Sequence, residues 1–561
     1  MKMSVSSENI LQHMAVPSKP NVYQIGCLES RVTLYSQQVR ALNLAFALFE
    51  RRKLARDSRV AVIGGGAAGM TATAALAQCG ASVTLLERLD AVIPFQSGSL
   101  TRWLHPHIYE WPADGCRNVN ADLPLLDWSA NYAANVAIEL RDEFYRLVRK
   151  LGTIKVQIGV RNVGIQAGQV GQRLEWRNAG GGFHSERFDV IVLAVGFGLE
   201  RPGVGAAHSY WRNDDLAQYE IDADRIRHHL VSGCGDGGLV DLLRIRIRDF
   251  RHDQVLEEFL GGIPTRSLEK ELLRVEEVAR DKAERGEDPA DFLYDEYQRL
   301  RPLHIDEMVA SRLRRDTRAT LNGPSQFPWR LNASILNRFL ASALIGLRNG
   351  EAEFTMPSAV GADWWRGEIA CVSQAEGGYR VQLKSGESRL FDRVVIRHGP
   401  VSALSTWVPP TDLEGIRSRN LLDQTRAPLW PQGFFGDRVT HQSVEHLLER
   451  SVQIFIPAHE GRAAYRVELE IRSLATFQEL VNMVYFKIEP PVEPFTYGET
   501  WRLRNTVSGE VLMHARELDS KRSFFRRGLA MDSRTLEEVG ILPGDNLEVI
   551  FLEHDSREFF R

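Results

Sequence analysis

Cysteine is scarce. The chain has five, Cys27, Cys79, Cys116, Cys234 and Cys371, among 561 residues. None forms C-x-x-C, which argues against a dithiol–disulfide motif and a zinc ribbon, and the odd, scattered set fits a reducing cytoplasm. An excess of one charge is also lacking. Lys and Arg number 69 against 73 Asp and Glu, a net charge of −4, so nothing marks the chain as a nucleic-acid binder. No signal peptide and no stop-transfer segment is read in it, so a cytoplasmic location without membrane attachment is expected. G-x-S-x-G is missing, which leaves a serine hydrolase without support, and no Walker A lysine pattern points to an ATPase or kinase. What is present, 43% hydrophobic and 25% charged residues, is ordinary for a globular chain long enough for roughly two to four domains.

Against that plain background one segment stands out. Val60-Ala61-Val62-Ile63 runs into Gly64-Gly65-Gly66-Ala67-Ala68-Gly69, then an Ala-rich helix, then a strand from Ser82 to Leu86 ending at Glu87 and Arg88. This is a complete dinucleotide-binding βαβ unit. Gly64 permits the tight turn, Gly66 lets the backbone approach a pyrophosphate, and Gly69 lets the helix pack closely on the strand. The helix N-terminus presents free N–H groups and partial positive charge to the phosphates. Glu87 can accept hydrogen bonds from a ribose 2′-OH and would repel a 2′-phosphate, so the first nucleotide is expected to be FAD or NAD rather than NADP. Two other readings exist. Val60 to Leu86 carries no charge, as a membrane helix would, but its five glycines and Gln78 argue against one. A degenerate Rossmann domain that binds nothing has the same signature.

Residues 1–57 read as a lead-in. Met1 to Pro20 is polar and expected to be loose. Gln37 to Phe49 carries an apolar helical stripe, expected to pack on the first βαβ unit. From there to about Leu447 the chain reads as two rounds of one theme. In the first, residues 58–225, the glycine turn is followed by a helix (Ala130 to Lys150), short strands (Ile154 to Ile158, Arg173 to Arg177), and Phe188-Asp189 leading an apolar strand to Gly196 and Gly198. In the second, residues 226–447, His229 to Ser232 leads into Gly233-Cys234-Gly235-Asp236-Gly237-Gly238. Strands at Glu368 to Ser373 and Tyr379 to Leu383 follow, and Phe391-Asp392 leads a strand to His398-Gly399-Pro400.

This arrangement resembles the two-dinucleotide-binding-domain flavoproteins, the superfamily of the flavin monooxygenases and the glutathione- and thioredoxin-reductase-like enzymes. The resemblance spans roughly Arg59 to Leu404. It implies FAD in the first Rossmann domain, held by Gly64 to Gly69, Glu87, Arg88 and Gly196. It implies NAD(P)H in the second, at Gly233, Gly235, Asp236 and Gly238. The second motif departs from the pattern, because no strand ending in an acid or Arg follows its helix, Leu239 to Arg246. A long charged helical stretch, Ser267 to Leu300, comes instead, and it reads as an inserted helical cap at about 255–345. The competing reading makes Gly233 to Gly238 a structural turn, with Asp236 capping the helix or touching the flavin side of the site.

No strong catalytic constellation is visible, and a flavin would carry the redox chemistry itself. The densest candidate cluster is Arg102 to Pro112. There His105 or His107 could serve as acid or base, with Trp103 and Trp111 walling the flavin. The alternative is turn punctuation with aromatic packing. No third ligand accompanies the two histidines, so no metal is expected. His398, at a predicted strand end, is a third candidate for contact with cofactor or substrate.

After Leu447 the pattern changes. Strands at Ser451 to Pro457 and Tyr465 to Ile471, a helix at Leu474 to Tyr485, strands at Thr500 to Arg504 and Val511 to Met513, a turn capped by Thr535, and a closing strand after Gly544-Asp545 give ββαββ, a short helical turn, then β. The order is that of a β-grasp domain, and the last segment is similar to the end of ubiquitin-like domains. The terminus Ser556 to Arg561 lacks the diglycine of a conjugated modifier. Residues 448–561 are therefore expected to dock a protein partner, such as an activating- or conjugating-enzyme-like protein, or to form a structural lid. The combined expectation is an α/β chain of two Rossmann-like halves with a C-terminal α+β ubiquitin-like domain. It would act as an FAD-dependent oxidoreductase with NAD(P)H or an organic small molecule as donor. The alternative is a dinucleotide-binding sensor or scaffold without turnover.

Overall fold

The computed structural model describes residues 6–28, 31–167, 171–196, 209–218, 226–260, 266–346, 361–399, 403–420, 427–436, 451–459, 461–470, 476–489, 492, 497–506, 509–514, 532, 534–536, 538–541 and 545–552. The chain divides into two compact units, Met1–Gly436 and Asp437–Arg561.

The first unit opens with α1 (Ser7–Met14), β1 (Val22–Gln24) and α2 (Leu34–Glu50). The expectation of a loose start is corrected here for the described residues. The Ser6 hydroxyl accepts from the Asn9 N–H and caps α1, whose Ile10, Leu11 and Met14 are buried. Polar composition hides this, because only one stripe of a two-turn helix is apolar. A Thr33–Ser36 capping box starts α2, which packs on α3. The βαβ unit is β2 (Arg59–Ile63), α3 (Ala67–Gln78) and β3 (Ser82–Leu86). After α4 (Pro94–Ser97), the ribbon of β4 (Trp103–Leu104) and β5 (Asn131–Tyr132) leads to α5 (Ala133–Leu151) and β6 (Ile154–Gln157). An antiparallel excursion of β7 (Arg161–Ala167), β8 (Gln172–Arg177) and β9 (Phe183–Phe188) returns the chain to β10 (Val190–Leu193). The first sheet is parallel throughout, in the order β1-β10-β2-β3-β6. Its strands are apolar on both faces because helices or the excursion cover both.

The second half repeats the plan with one interruption. After β11 (Arg227–Ser232) and α6 (Asp236–Arg246) come four helices, α7 (His252–Leu260), α8 (Arg266–Glu284), α9 (Ala290–Leu300) and α10 (Leu303–Ser311). Only then does β12 (Thr317–Gly323) pair with β11, followed by α11 (Ile335–Gly346) and β13 (Asp363–Arg366). The excursion β14 (Ile369–Ala375), β15 (Gly378–Leu383) and β16 (Ser388–Phe391) leads to β17 (Arg393–Ile396), and α12 (Pro410–Asn420) follows. This sheet too is parallel, in the order β13-β12-β11-β17. The strand missing after the second glycine turn is therefore β12, displaced by the helices. Residues 317–345, placed within the insertion by the sequence pattern, include this core strand and nearly all of α11, which packs on α6. In α8, Leu272, Val275 and Ala279 recur at helical spacing and are buried. Glu276 shares that face because Arg31 and Arg338 pair with it.

The recurring Phe-Asp pair has a physical role. Asp189 accepts from the Arg59 N–H at 2.8 Å and Asp392 from the His228 N–H at 2.7 Å. Each carboxylate thus ties the start of its returning strand to that of the central strand.

The second unit contains β18 (Ser451–Ile456), β19 (Tyr465–Glu470), α13 (Phe477–Tyr485), β20 (Trp501–Asn505), β21 (Val511–Leu512) and β22 (Asn546–Phe551). Its sheet order is β19-β18-β22-β20-β21, with β22 parallel to β18 and antiparallel to β20. Val452, Ile454 and Ile456 alternate inward onto Phe477, Leu480 and Val484 of α13. Thr535 and Glu538 exchange side-chain-to-backbone hydrogen bonds, the reciprocal cap of a short turn. Phe197, Gly198, Pro400, Leu447, Gly544 and the terminus Ser556 to Arg561, all used in the sequence reading, lie outside the described residues. Among the described residues no helix is long and apolar enough to cross a membrane.

Candidate functional site

The two glycine turns are built alike. Gly64 donates to the Leu86 carbonyl at 2.8 Å, and Gly233 donates to that of Asn322 at 3.0 Å. Ala194 donates to Ile63 O and Arg397 to Ser232 O, at 2.8 and 2.7 Å. Each first glycine has positive φ, +110° and +125°, and a Cβ there would collide with the carbonyl oxygen of Ala194 or Arg397. A Cβ on Gly69 or Gly238 would strike the carbonyl of Gly64 or Gly233. At Gly66 and Gly235 a Cβ would meet nothing within 4 Å. The middle glycines therefore border open space, as a backbone that approaches a pyrophosphate requires. Gly196 and Gly399 occupy matching positions beyond the returning strands, at φ +67° and +78°.

The starts of α1, α2 and α13 are capped by Ser6, Thr33 and Thr476. α3 and α6 have no side-chain cap, and neither do α4, α5, α9 and α10. The first N–H groups of α3 and α6 suit an external anion, which a dinucleotide phosphate supplies. Both turns lie where the strand order of their sheet reverses, the crevice in which open α/β sheets bind ligands.

The turns differ at the acid. Glu87 is buried, accepts from Gly65 N at 2.5 Å and Leu89 N at 2.8 Å, and packs against Gly65. Arg88 is exposed. The matching position in the second half is Gly323, where a Cβ would come 2.8 Å from Cys234 Sγ and 3.0 Å from the Trp364 ring. Burial pushes the Cys234 thiol up to about 12, so it is an inert filler there. Asp236, the first residue of α6, accepts from Ser334 N and from Asn337 Nδ2, at 2.8 and 2.6 Å, and so ties the start of α6 to that of α11.

Two of the candidate histidines, His105 and His107, are neighbours, and the third lies after β17. His398, exposed after β17, bonds Ser232 Oγ through Nε2 at 2.8 Å, and Ser232 donates to Asn322 Oδ1 at 2.7 Å. His107 bonds the Asn120 carbonyl at 3.0 Å and packs edge-on against Tyr35. His105 is 3% exposed, and its Nδ1 accepts from the N–H groups of His107 and Ile108 at 3.2 and 3.0 Å. The ring proton therefore resides on Nε2. Burial pushes the pKa of His105 down to about 4. Near neutral pH its Nε2 is a hydrogen-bond donor. Trp103 packs under the Arg251 guanidinium at 3.6 Å, and Trp111 is buried against Phe339. Among the described residues no group of three His, Cys, Asp or Glu gathers to hold a metal.

Sequence reasoning missed a buried ionic cluster joining the two halves. Asp241 of α6, fully buried, takes Arg102 and, at 2.8 Å, Arg397. Arg244 bridges Asp241 at 3.1 Å and Asp214 at 2.7 Å, and Arg102 also reaches Asp214 at 2.9 Å. Tyr210 stacks on Arg102 at 4.1 Å. Despite burial, the surrounding arginines hold Asp241 down at about 2. No motif announces this set, because its members are scattered from Arg102 to Arg397; a buried α6 that contains Arg and Asp was the only signal.

Residues 59–214 match the family model described as FAD dependent oxidoreductase. That match includes the first glycine turn and supports FAD as the cofactor. No curated protein matches the chain. Among solved structures, the bacillithiol disulfide reductase of Bacillus cereus is 14% identical, over 62% of this chain and 78% of that one, with a TM-score of 0.32. The thioredoxin reductase of T. acidophilum is 12% identical, over 63% and 80%, at 0.30. The NAD-dependent persulfide reductase of A. fulgidus is 14% identical, over 64% and 47%, at 0.30.

Proposed function

We propose that the protein is an FAD-dependent oxidoreductase that draws reducing equivalents from a nicotinamide dinucleotide at the Gly233 crevice. When bound, FAD supplies the two-electron chemistry, taking a hydride from the donor and passing electrons to O₂ or another acceptor. The residues around it bind and orient. Gly64 to Gly69 and the uncapped start of α3 hold the pyrophosphate, and Glu87 accepts from the adenosine ribose. The observation that carries the reading is the hydrogen-bond-by-hydrogen-bond match between the Gly64 and Gly233 turns. A merely structural turn has no need of open space at its middle glycine. With Gly323 where the acid would stand, nothing at that position repels a 2′-phosphate, so NADPH is favoured over NADH.

Thiol–disulfide exchange is not part of the proposal, because all five cysteines are free, and burial pushes Cys79, Cys116 and Cys234 up to about 12, 11 and 12. For the second unit we propose a ubiquitin-like β-grasp domain that docks a protein partner. Its support is the order second-first-fifth-third-fourth strand with the fifth parallel to the first. A cytoplasmic location agrees with the free thiols. One feature favours the sensor reading instead, namely the absence of a ribose acceptor at Gly323, which would leave a nicotinamide held by its phosphates alone.

The test is the absorbance spectrum of the purified protein before and after anaerobic addition of NADPH and NADH. Flavin bands near about 370 and 450 nm that bleach faster with NADPH are expected. Bands that neither nicotinamide bleaches would move the conclusion to the sensor or to a substrate oxidase. A colourless protein that FAD does not reconstitute would overturn it.

A further inference from the structure

Two tyrosines border the second glycine turn, and neither comes from the half that builds it. Tyr109 sits in the single helical turn Ile108–Glu110 of the first half, and Tyr210 lies in the connector between β10 and β11. The Tyr210 ring rests on the first turn of α6. A Cβ on Gly237 would stand 3.4 Å from its Cδ2 and 3.5 Å from its Cε2. The ring is pinned further by the Arg102 guanidinium at 4.1 Å and, edge-on, by Trp211 at 5.3 Å. Tyr109 packs edge-on against His252 at 5.0 Å. Its electrostatic neighbours include Tyr210 and Asp236, the first residue of α6.

Both rings are partly buried. Neither hydroxyl has a hydrogen-bond partner among the described residues, and neither is sealed from solvent. Burial pushes both phenols above their ordinary range, that of Tyr109 well above it, so both keep their protons near neutral pH and act as donors. Fixed donors within reach of solvent, beside an uncapped helix start, suit a phosphate that the backbone N–H groups cover on one side only. Asp236 adds to the need for them, because it sets a carboxylate at the same helix start.

We propose that Tyr109 and Tyr210 hold the pyrophosphate of the nicotinamide dinucleotide, donating their hydroxyls to its oxygens at the start of α6. The inference rests on the reading of the Gly233 crevice as a dinucleotide site. It makes that site a product of both halves, with the turn from the second and the side-chain donors from the first.

The test uses the full-length, flavin-loaded protein and its Tyr109→Phe and Tyr210→Phe variants. Each variant keeps the ring and its packing and removes one hydroxyl. In calorimetric titrations each should bind NADP⁺ and NAD⁺ about tenfold more weakly than the parent protein, the loss of one hydrogen bond to a charged group. The loss should be equal for the two nucleotides, because the pyrophosphate is common to both. The urea midpoint without nucleotide should stay where it is, since no hydrogen bond within the protein is lost. Unchanged affinity in either variant, a loss confined to NADP⁺, or a lowered midpoint without nucleotide would overturn the assignment and leave the crevice reading standing. A parent protein that binds neither nucleotide would overturn both.

Discussion

Glu87 uses one carboxylate for two tasks, gripping the Gly65 and Leu89 amides and facing the expected ribose. Glu87→Gln keeps the shape but loses the charge and half the accepting capacity. It should lower FAD affinity at least about tenfold, read from the flavin-to-protein absorbance ratio after dialysis. Asp241 is the opposite kind of acid, structural and central to three arginines. Asp241→Asn leaves buried guanidinium charge uncompensated and should destabilise the first unit by about 3–5 kcal/mol, measured by urea unfolding; an unchanged midpoint would contradict the cluster's role. Burial holds His105, His229 and His252 each down at about 4. The unfolded chain takes these protons near pH 6.5 and the folded chain refuses them until about 4, so the unfolded state binds more protons throughout that window. The stability these histidines preserve is complete above pH 6.5 and is lost as the pH falls toward 4. The thermal midpoint should drop across that range, and a flat profile would exclude neutral burial of the three.

Elements were legible where local pattern and tertiary role agree. The β2–α3–β3 unit carried its glycines, its uncharged strands and its acid within a few turns of chain, and the capped helices α2 and α13 announced themselves by apolar spacing. Thr476 and Glu479 form the capping box of α13, so Thr476→Ala should cost about 1 kcal/mol in the unfolding of the second unit. Two kinds of element escaped. Strand β1 is three residues long, too short for any alternation, and exists because Val22 to Gln24 pair with Ile191 to Leu193. Strand β12 was hidden by distance, since no local signal joins it to a partner on the far side of four helices. The candidate site divided in the same way. The glycine turns could be read, whereas the donor role of His105 depends on which ring nitrogen the backbone occupies, and no spacing encodes that.

At the scale of the whole chain, the second unit has its own core around Ile454, Leu480 and Val549. Residues 437–561 made alone should unfold cooperatively by circular dichroism, and residues 1–436 alone should keep the flavin spectrum unchanged. Loss of flavin on removing the second unit would instead make that unit part of the site. The four-helix insertion also sets an order of events. In the first half about 20 residues separate the paired strands β2 and β3, against about 80 between β11 and β12. Closing the longer loop costs about 1 kcal/mol more entropy, and its strands meet only after the intervening helices have drawn the ends together. The ribosome also delivers the first half earlier. A nascent chain released before β12 would thus hold a finished first sheet and an open sheet edge at β11. Chains cut before β12 should therefore aggregate more readily than the full chain, because an unpaired edge strand is a template for pairing.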